Sequence, residues 1–121
     1  MTSVLTVDDS ASIRRTIKIA LTGEGFGVTE ACDGADGLRK AEGGGFDLIV
    51  TDLNMPIMDG LTMIRELRKL PRHAGVPILF LTTESDAGIK AQAKAAGATG
   101  WVTKPFDPES LIRIVRKILA K

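Results

Sequence analysis

Apolar residues fall along this chain in two alternating rhythms. Five short runs, Ser3 to Val7, Gly27 to Ala31, Asp47 to Thr51, Val76 to Leu81 and Gly100 to Thr103, carry the branched and large apolar residues of strands. Between them the apolar spacing lengthens to that of helices. Ile13, Ile17, Ala20 and Leu21 recur at i, i+4, i+7 and i+8, Leu61, Ile64 and Leu67 recur every three residues, and Leu111, Ile112, Val115, Ile118 and Leu119 make a wide stripe. The segments Ala35 to Glu42 and Asp86 to Ala96 are weaker. The second offers only Ile89, Ala93 and Ala96 as a face, and a helix that buries so little is a candidate for movement.

Strands alternating with helices predict a parallel sheet. Val4-Leu5, Leu48-Ile49-Val50 and Ile78-Leu79-Phe80-Leu81 are continuously apolar, as central strands covered on both faces must be, whereas Gly27-Val28-Thr29-Glu30 alternates like an edge. Right-handed crossovers then give an α/β fold, a doubly wound five-stranded parallel sheet in order 2-1-3-4-5 with helices on both faces. Glycines 23, 25, 43 to 45, 75 and 97 follow the helices, where left-handed caps are expected. Asp107-Pro108-Glu109 sets an N-cap acceptor before a proline, so the last helix starts at Pro108.

With 121 residues the chain reads as one domain, residues 1–121. Lys plus Arg number 16 against 15 Asp plus Glu, a balance that argues against a nucleic-acid binder, whose affinity comes largely from neutralised phosphates. The single cysteine, Cys32, cannot close an intramolecular disulfide and suits a reducing cytoplasm. No basic start followed by an apolar stretch opens the chain, and Val76 to Leu81 is too short to span a membrane. A soluble, unprocessed, cytoplasmic protein with no membrane or nucleic-acid partner is the expectation.

In open α/β sheets ligands sit beyond the carboxyl ends of the strands where strand order reverses, here between the first and third strands. Asp8 and Asp9 end the first, and Asp52 ends the third. Three carboxylates so placed resist ionising together unless a cation sits among them, and Mg2+ (or Mn2+) suits a site of few carboxylates that also binds phosphate. Thr82-Thr83 and Lys104-Pro105 end the fourth and fifth strands and bring a hydroxyl pair and an ammonium to the same rim. Together they describe a phosphoryl site in which the metal and Lys104 clamp phosphoryl oxygens while Asp52 attacks. The first turn, Asp8-Asp9-Ser10-Ala11-Ser12, offers acids where a nucleotide phosphate would need bare amides. Gly43-Gly44-Gly45 follows a helix and precedes a strand, the reverse of a phosphate-binding loop.

Asp8-Asp9, Asp52 followed by Met55-Pro56-Ile57-Met58-Asp59-Gly60, Thr82 and Lys104-Pro105-Phe106 stand in an order and spacing that resembles the receiver domains of two-component response regulators. The resemblance runs from end to end. It implies the flavodoxin-like fold of CheY, and phosphorylation of Asp52 by a sensor histidine kinase, of the chemotaxis CheA kind. It also implies Mg2+ bound directly by Asp9, Asp52 and the Asn54 backbone carbonyl, with Asp8 acting through water. A phosphoryl group on Asp52 adds charge that Lys104 and the Thr82 hydroxyl can meet with charge-assisted hydrogen bonds. The resemblance makes Thr82 and Trp101 the switch pair and gives Asn54 and Glu84 control over dephosphorylation. It further implies a cis Lys104-Pro105 bond.

The Thr82-Thr83-Glu84-Ser85 run, Gly100-Trp101 and Lys104 to Pro108 look most like chemotaxis receivers. A stand-alone regulator that binds the flagellar motor switch, with a phosphatase as a further partner, is therefore expected. A phosphorelay shuttle or phosphate sink is the alternative. An aspartate-nucleophile phosphatase is remote, because no residues remain for a substrate-shaping cap. The protein is then no turnover enzyme, although it assists its own phosphorylation and dephosphorylation. Arg113, Arg116, Lys117 and Lys121 give the last helix a basic side, either a solvated face or a dock for an acidic partner.

Overall fold

In the computed structural model, which describes residues 2–83 and 86–120, the expected sheet forms from β1 (Ser3–Val7), β2 (Gly27–Ala31), β3 (Leu48–Thr51), β4 (Ile78–Thr82) and β5 (Gly100–Thr103). The strands pair in parallel in the order β2-β1-β3-β4-β5. Neighbouring residues of each central strand point to opposite faces, and this builds two cores. Val4, Leu48, Val50, Leu79 and Leu81 pack with Ile17 and Leu21 of α1 (Ala11–Thr22) and with Leu111 and Val115 of α5 (Pro108–Leu119). Leu5, Ile49, Ile78 and Phe80 pack on the other side with Ala41 of α2 (Gly34–Glu42), with Met63, Ile64 and Leu67 of α3 (Gly60–Leu67) and with Ala93 of α4 (Ala87–Ala96). One apolar run thereby serves both layers, which is why the central strands are apolar throughout.

Each helix start is capped by a side chain. Ser10, Asp33, Asp59, Asp86 and Asp107 accept from the first-turn amides of α1 to α5 in turn, and Pro108 opens α5 as its sequence predicts. The expected glycine caps are only partly present. Gly97 ends α4 with φ 112° and Gly25 has φ 90°, but Gly23 and Gly43 end their helices in right-handed conformations and Gly75 has no positive φ. A helix can end by tightening its last turn, without a left-handed residue. Two strand limits also shift. β3 starts at Leu48 rather than Asp47, and β4 runs Ile78–Thr82 rather than Val76 to Leu81, because Pro77 has no N–H to pair while Thr82 continues the ladder opposite Thr103.

α4 buries only Ala93, and its C-terminal end is held by a cation the sequence did not advertise. Arg68 donates Nη1 to the His73 carbonyl at 2.8 Å and Nη2 to the Gly97 carbonyl at 2.5 Å, joining α3, the 3-10 turn Pro71–His73 and the α4 cap. Burial lowers the Arg68 pKa. A Cβ at Gly97 would lie 2.6 Å from Arg68 Nε, so glycine there serves both the left-handed cap and the arginine. The basic side of α5 is less open than its sequence suggests: Arg116 pairs with Glu24 at 2.5 Å and stacks over Phe26, and Arg113 bonds Ser110. Lys121 lies outside the described residues.

Candidate functional site

Asp8, Asp9 and Asp52 meet beyond the ends of β1 and β3, with one carboxylate oxygen of each within 4.8 Å of the others. The register that brings them together is Val7 opposite Thr51, continued by the Asp52 amide donating to the Val7 carbonyl at 2.9 Å. Asp8 is almost fully buried, Asp52 half-buried and Asp9 exposed. Lys104 reaches in from the end of β5. Its Nζ donates to Asp8 Oδ2 at 2.7 Å and lies 3.4 Å from Asp52 Oδ2.

The charge balance of this cluster is uneven. Burial pushes the Asp8 carboxyl above its ordinary value, and the neighbouring Asp52 charge adds to this against the pull of Lys104 and the Ser10 amide. Burial would lower Lys104, but its bond to Asp8 and the charges of Asp8 and Asp52 outweigh this and hold the ammonium above its ordinary value. Three carboxylates facing one ammonium leave a net negative site of hard oxygen donors. Such a donor set fits a small hard divalent cation that keeps part of its water shell.

The loop after Asp52 owes its shape to residues that carry no charge. The Leu53 amide donates to Asp52 Oδ1 at 2.7 Å, fixing one carboxylate oxygen and leaving Oδ2 toward Lys104. Gly60 starts α3 where a Cβ would collide with the Asp52 carbonyl and approach Phe80 to 2.8 Å. Gly34 starts α2 where a Cβ would collide with the Met58 carbonyl, to which its own amide donates at 3.0 Å. Between them Ile57 is 84% exposed with φ 68°, and the Met58 amide donates back to the Pro56 carbonyl at 2.7 Å. That is a three-residue turn, which strains a β-branched residue.

The other residues named from the sequence are distributed around this rim. Thr82 is buried at the end of β4, and its carbonyl accepts from the Lys104 amide at 2.8 Å, so both residues stand at the same edge. Asn54 is exposed in the loop after Asp52. Lys104-Pro105 is cis. Trp101 is half-buried on β5, tilted against Phe80 at 5.6 Å between ring centroids, with Lys90 Nζ 5.7 Å from its ring. Cavities of about 280 and 340 Å3 lie against it, toward α4 and toward α5. Glu84 falls outside the described residues. Sequence reasoning missed Arg14, which donates to the Asp8 carbonyl; its position one helical turn beyond the acid pair was the available signal.

Comparison with known proteins adds a family. A family model described as the response regulator receiver domain matches residues 4–116. Response regulator ArlR of Staphylococcus aureus is 36% identical over 121 residues, all of this chain and 54% of that protein. The chain thus spans about half the length of the curated relatives it matches. Among solved structures, chemotaxis protein CheY4 of Vibrio cholerae is 42% identical with a TM-score of 0.94, covering 98% of both chains. The receiver domain of sensor histidine kinase PA1611 from Pseudomonas aeruginosa, described with a magnesium ion coordinated in its active site cleft, is 30% identical with a TM-score of 0.91 over 99% of this chain and 98% of that one.

Proposed function

The chain belongs to the response regulator receiver domain family of two-component systems, and on that premise we propose that Asp52 accepts a phosphoryl group from a histidine kinase and that the change is read at the face around Trp101. The observation that carries this reading is the convergence of Asp8, Asp9, Asp52 and Lys104 at one strand edge. A carboxylate oxygen of Asp52 forms a bond to phosphorus as the P–N bond of a donor phosphohistidine breaks, and the imidazole departs with the electron pair. Asp9, Asp52 and the Asn54 carbonyl would hold Mg2+ or Mn2+, with Asp8 behind them. The cation, when bound, supplies positive charge to the phosphoryl oxygens.

Lys104 is the protein's own cation for the same oxygens. Its ammonium is already 3.4 Å from Asp52 Oδ2 and needs little movement to reach a group attached there. Thr82, from the neighbouring strand end, offers the hydroxyl. Its movement toward the phosphoryl group would leave room for Trp101, which is half-buried between open grooves toward α4 and α5. Asn54 and Glu84 would tune how water reaches the phosphoryl group. The chain then acts as a cytoplasmic receiver unit that catalyses only its own phosphorylation and dephosphorylation, with a phosphatase as a further partner class.

The target we propose is the flagellar motor switch, supported by the 42% identity to a chemotaxis protein over 98% of both chains. Likeness to receiver domains of sensor histidine kinases supports the second reading, a relay or phosphate sink. Acetyl phosphate with Mg2+ should label the protein and not Asp52→Asn; labelling retained in the variant overturns the acceptor assignment. Titration with a motor-switch peptide, in Mg2+ and then in Mg2+ with beryllofluoride, separates the outputs. Tightening of about tenfold or more, roughly 1.4 kcal/mol of coupling, supports the chemotaxis reading, and no binding in either state moves the output to a relay or sink.

A further inference from the structure

Arg14 lies behind the acidic cluster, and its guanidinium is committed on two sides. Nη1 donates to the Asp8 carbonyl at 2.5 Å and Nε donates to Glu30 Oε1 at 3.2 Å, with the side chain 18% exposed. Glu30 belongs to β2 and is also approached by Lys18 Nζ at 3.6 Å. One planar fork therefore joins α1, the end of β1 and the edge strand, a task for which arginine is better shaped than lysine.

The oxygen that Arg14 holds belongs to the peptide joining Asp8 to Asp9. The Asp8 amide is tied to the Ala31 carbonyl at 3.1 Å, and the Asp8 carboxylate is tied to the Ser10 amide at 2.9 Å and to Lys104 at 2.7 Å. Asp9 has none of this support: it is exposed, and among the described residues no hydrogen bond or ion pair holds its carboxylate. The direction in which its side chain leaves the backbone depends in part on the plane of the preceding peptide. Arg14 holds the oxygen of that peptide.

We propose that Arg14 is a positioning residue for the cation site, orienting the Asp8-Asp9 peptide so that the Asp9 carboxylate faces Asp52. The proposal rests on the cation-dependent reading given above. It makes a prediction opposite in sign to simple electrostatics. A guanidinium close to a cation site repels the cation, so by charge alone Arg14→Met would tighten Mg2+ binding. If Arg14 instead orients a ligand, its loss frees Asp9 to rotate away and binding weakens, as happens when the groups that orient metal ligands are removed, by roughly 10–100-fold.

Calorimetric titration of the full chain with MgCl2 reads this directly. Wild type and Asp9→Asn are measured first, and absence of Mg2+ binding in wild type would overturn the cation-dependent reading itself. With wild type binding and Asp9→Asn impaired, Arg14→Met should bind Mg2+ about tenfold more weakly or worse. Acetyl phosphate labelling of that variant should recover as Mg2+ is raised, an apparent affinity effect that general loss of stability would not produce. Equal or tighter Mg2+ binding in Arg14→Met overturns the proposal while leaving the functional reading in place. Should Arg14→Met not fold, Arg14→Lys serves. It keeps the charge but offers one nitrogen where the bonds to the Asp8 carbonyl and Glu30 come from Nη1 and Nε of a planar fork, so it holds the peptide less firmly and should still weaken binding; wild-type affinity in it overturns the proposal.

Discussion

Replacing Lys104 by Met keeps much of the apolar stem and removes the ammonium from between Asp8 and Asp52. The side chains of Asp8, Asp52 and Lys104 are 2%, 12% and 12% exposed, so the lost attraction is only partly screened. Opposite unit charges about 4 Å apart are worth roughly 4 kcal/mol at an effective dielectric of about 20. The net cost is smaller than two such pairs, because the desolvation of the ammonium also disappears and because Asp8, which burial already holds above its ordinary value, can take a proton. A loss of about 2–4 kcal/mol at neutral pH without divalent cation follows. With a urea dependence of about 2 kcal/mol per molar, the unfolding midpoint in EDTA, followed by Trp101 fluorescence, should fall by roughly 1–2 M. Mg2+ should then restore more stability to Lys104→Met than to wild type, since the vacated site is more negative and should bind the cation about tenfold more tightly. An unchanged midpoint in EDTA, or weaker Mg2+ binding in the variant, would refute the charge argument.

Three further outcomes follow from residues away from the phosphoryl chemistry. Burial pushes the Asp36 carboxyl up, but the Cys32 amide, Lys40 and Arg39 outweigh it and hold the group below its ordinary value; its contribution is therefore present above about pH 4 and lost as the pH falls through the depressed folded value. Asp36→Asn should cost about 1 kcal/mol near neutrality, with the gap to wild type in urea unfolding closing below pH 4; a gap that widens in acid counts against it. Ile57→Gly should raise stability by about 1 kcal/mol, because φ 68° strains a β-branched residue whose exposed side chain buries almost nothing, and a lower unfolding midpoint would contradict this. Arg68→Met should take the guanidinium from the Gly97 carbonyl and leave the His73 carbonyl only its long bond from the Val76 amide, cost about 2 kcal/mol, and speed hydrogen exchange in Ala87–Ala96 more than in Gly60–Leu67; uniform acceleration would show that Arg68 does not hold α4 in particular.

Features set by backbone periodicity and strand ends could be read from the chain, and features set by contact through space could not. Val4-Leu5 and Leu48-Ile49-Val50 had to be central strands, because only a strand covered on both faces tolerates unbroken apolar residues. Once the order was fixed, Asp8, Asp9, Asp52, Thr82 and Lys104 had to share an edge, since all end parallel strands. Nothing in the chain announces that Gly60 is glycine because the Asp52 carbonyl and Phe80 occupy the space of its Cβ. Nor does it show that Arg116 is drawn to Glu24 and Phe26, 92 and 90 positions away. Arg14 and Arg68 look in sequence like two more surface cations, yet each bonds backbone carbonyls of other segments. A bond to a backbone carbonyl leaves no partner residue type to search for, and only the place of Arg14 one helical turn beyond Asp8-Asp9 pointed to its role.

The position of Lys104 ties these observations to the proposed switch. Its nearest oxygen is that of Asp8, not Asp52, so the ammonium serves the deepest carboxylate of the cluster. Asp9, Asp52 and Asp8 would hold a divalent cation, which would supply positive charge to the carboxylate that Lys104 serves, and the ammonium would then be available to a phosphoryl group on Asp52, whose Oδ2 it already approaches to 3.4 Å. Lys104 is thus the side chain through which that group would act: in Lys104→Met, Mg2+ should still bind, but beryllofluoride should no longer strengthen partner binding, and full retention of that strengthening would remove Lys104 from the switch.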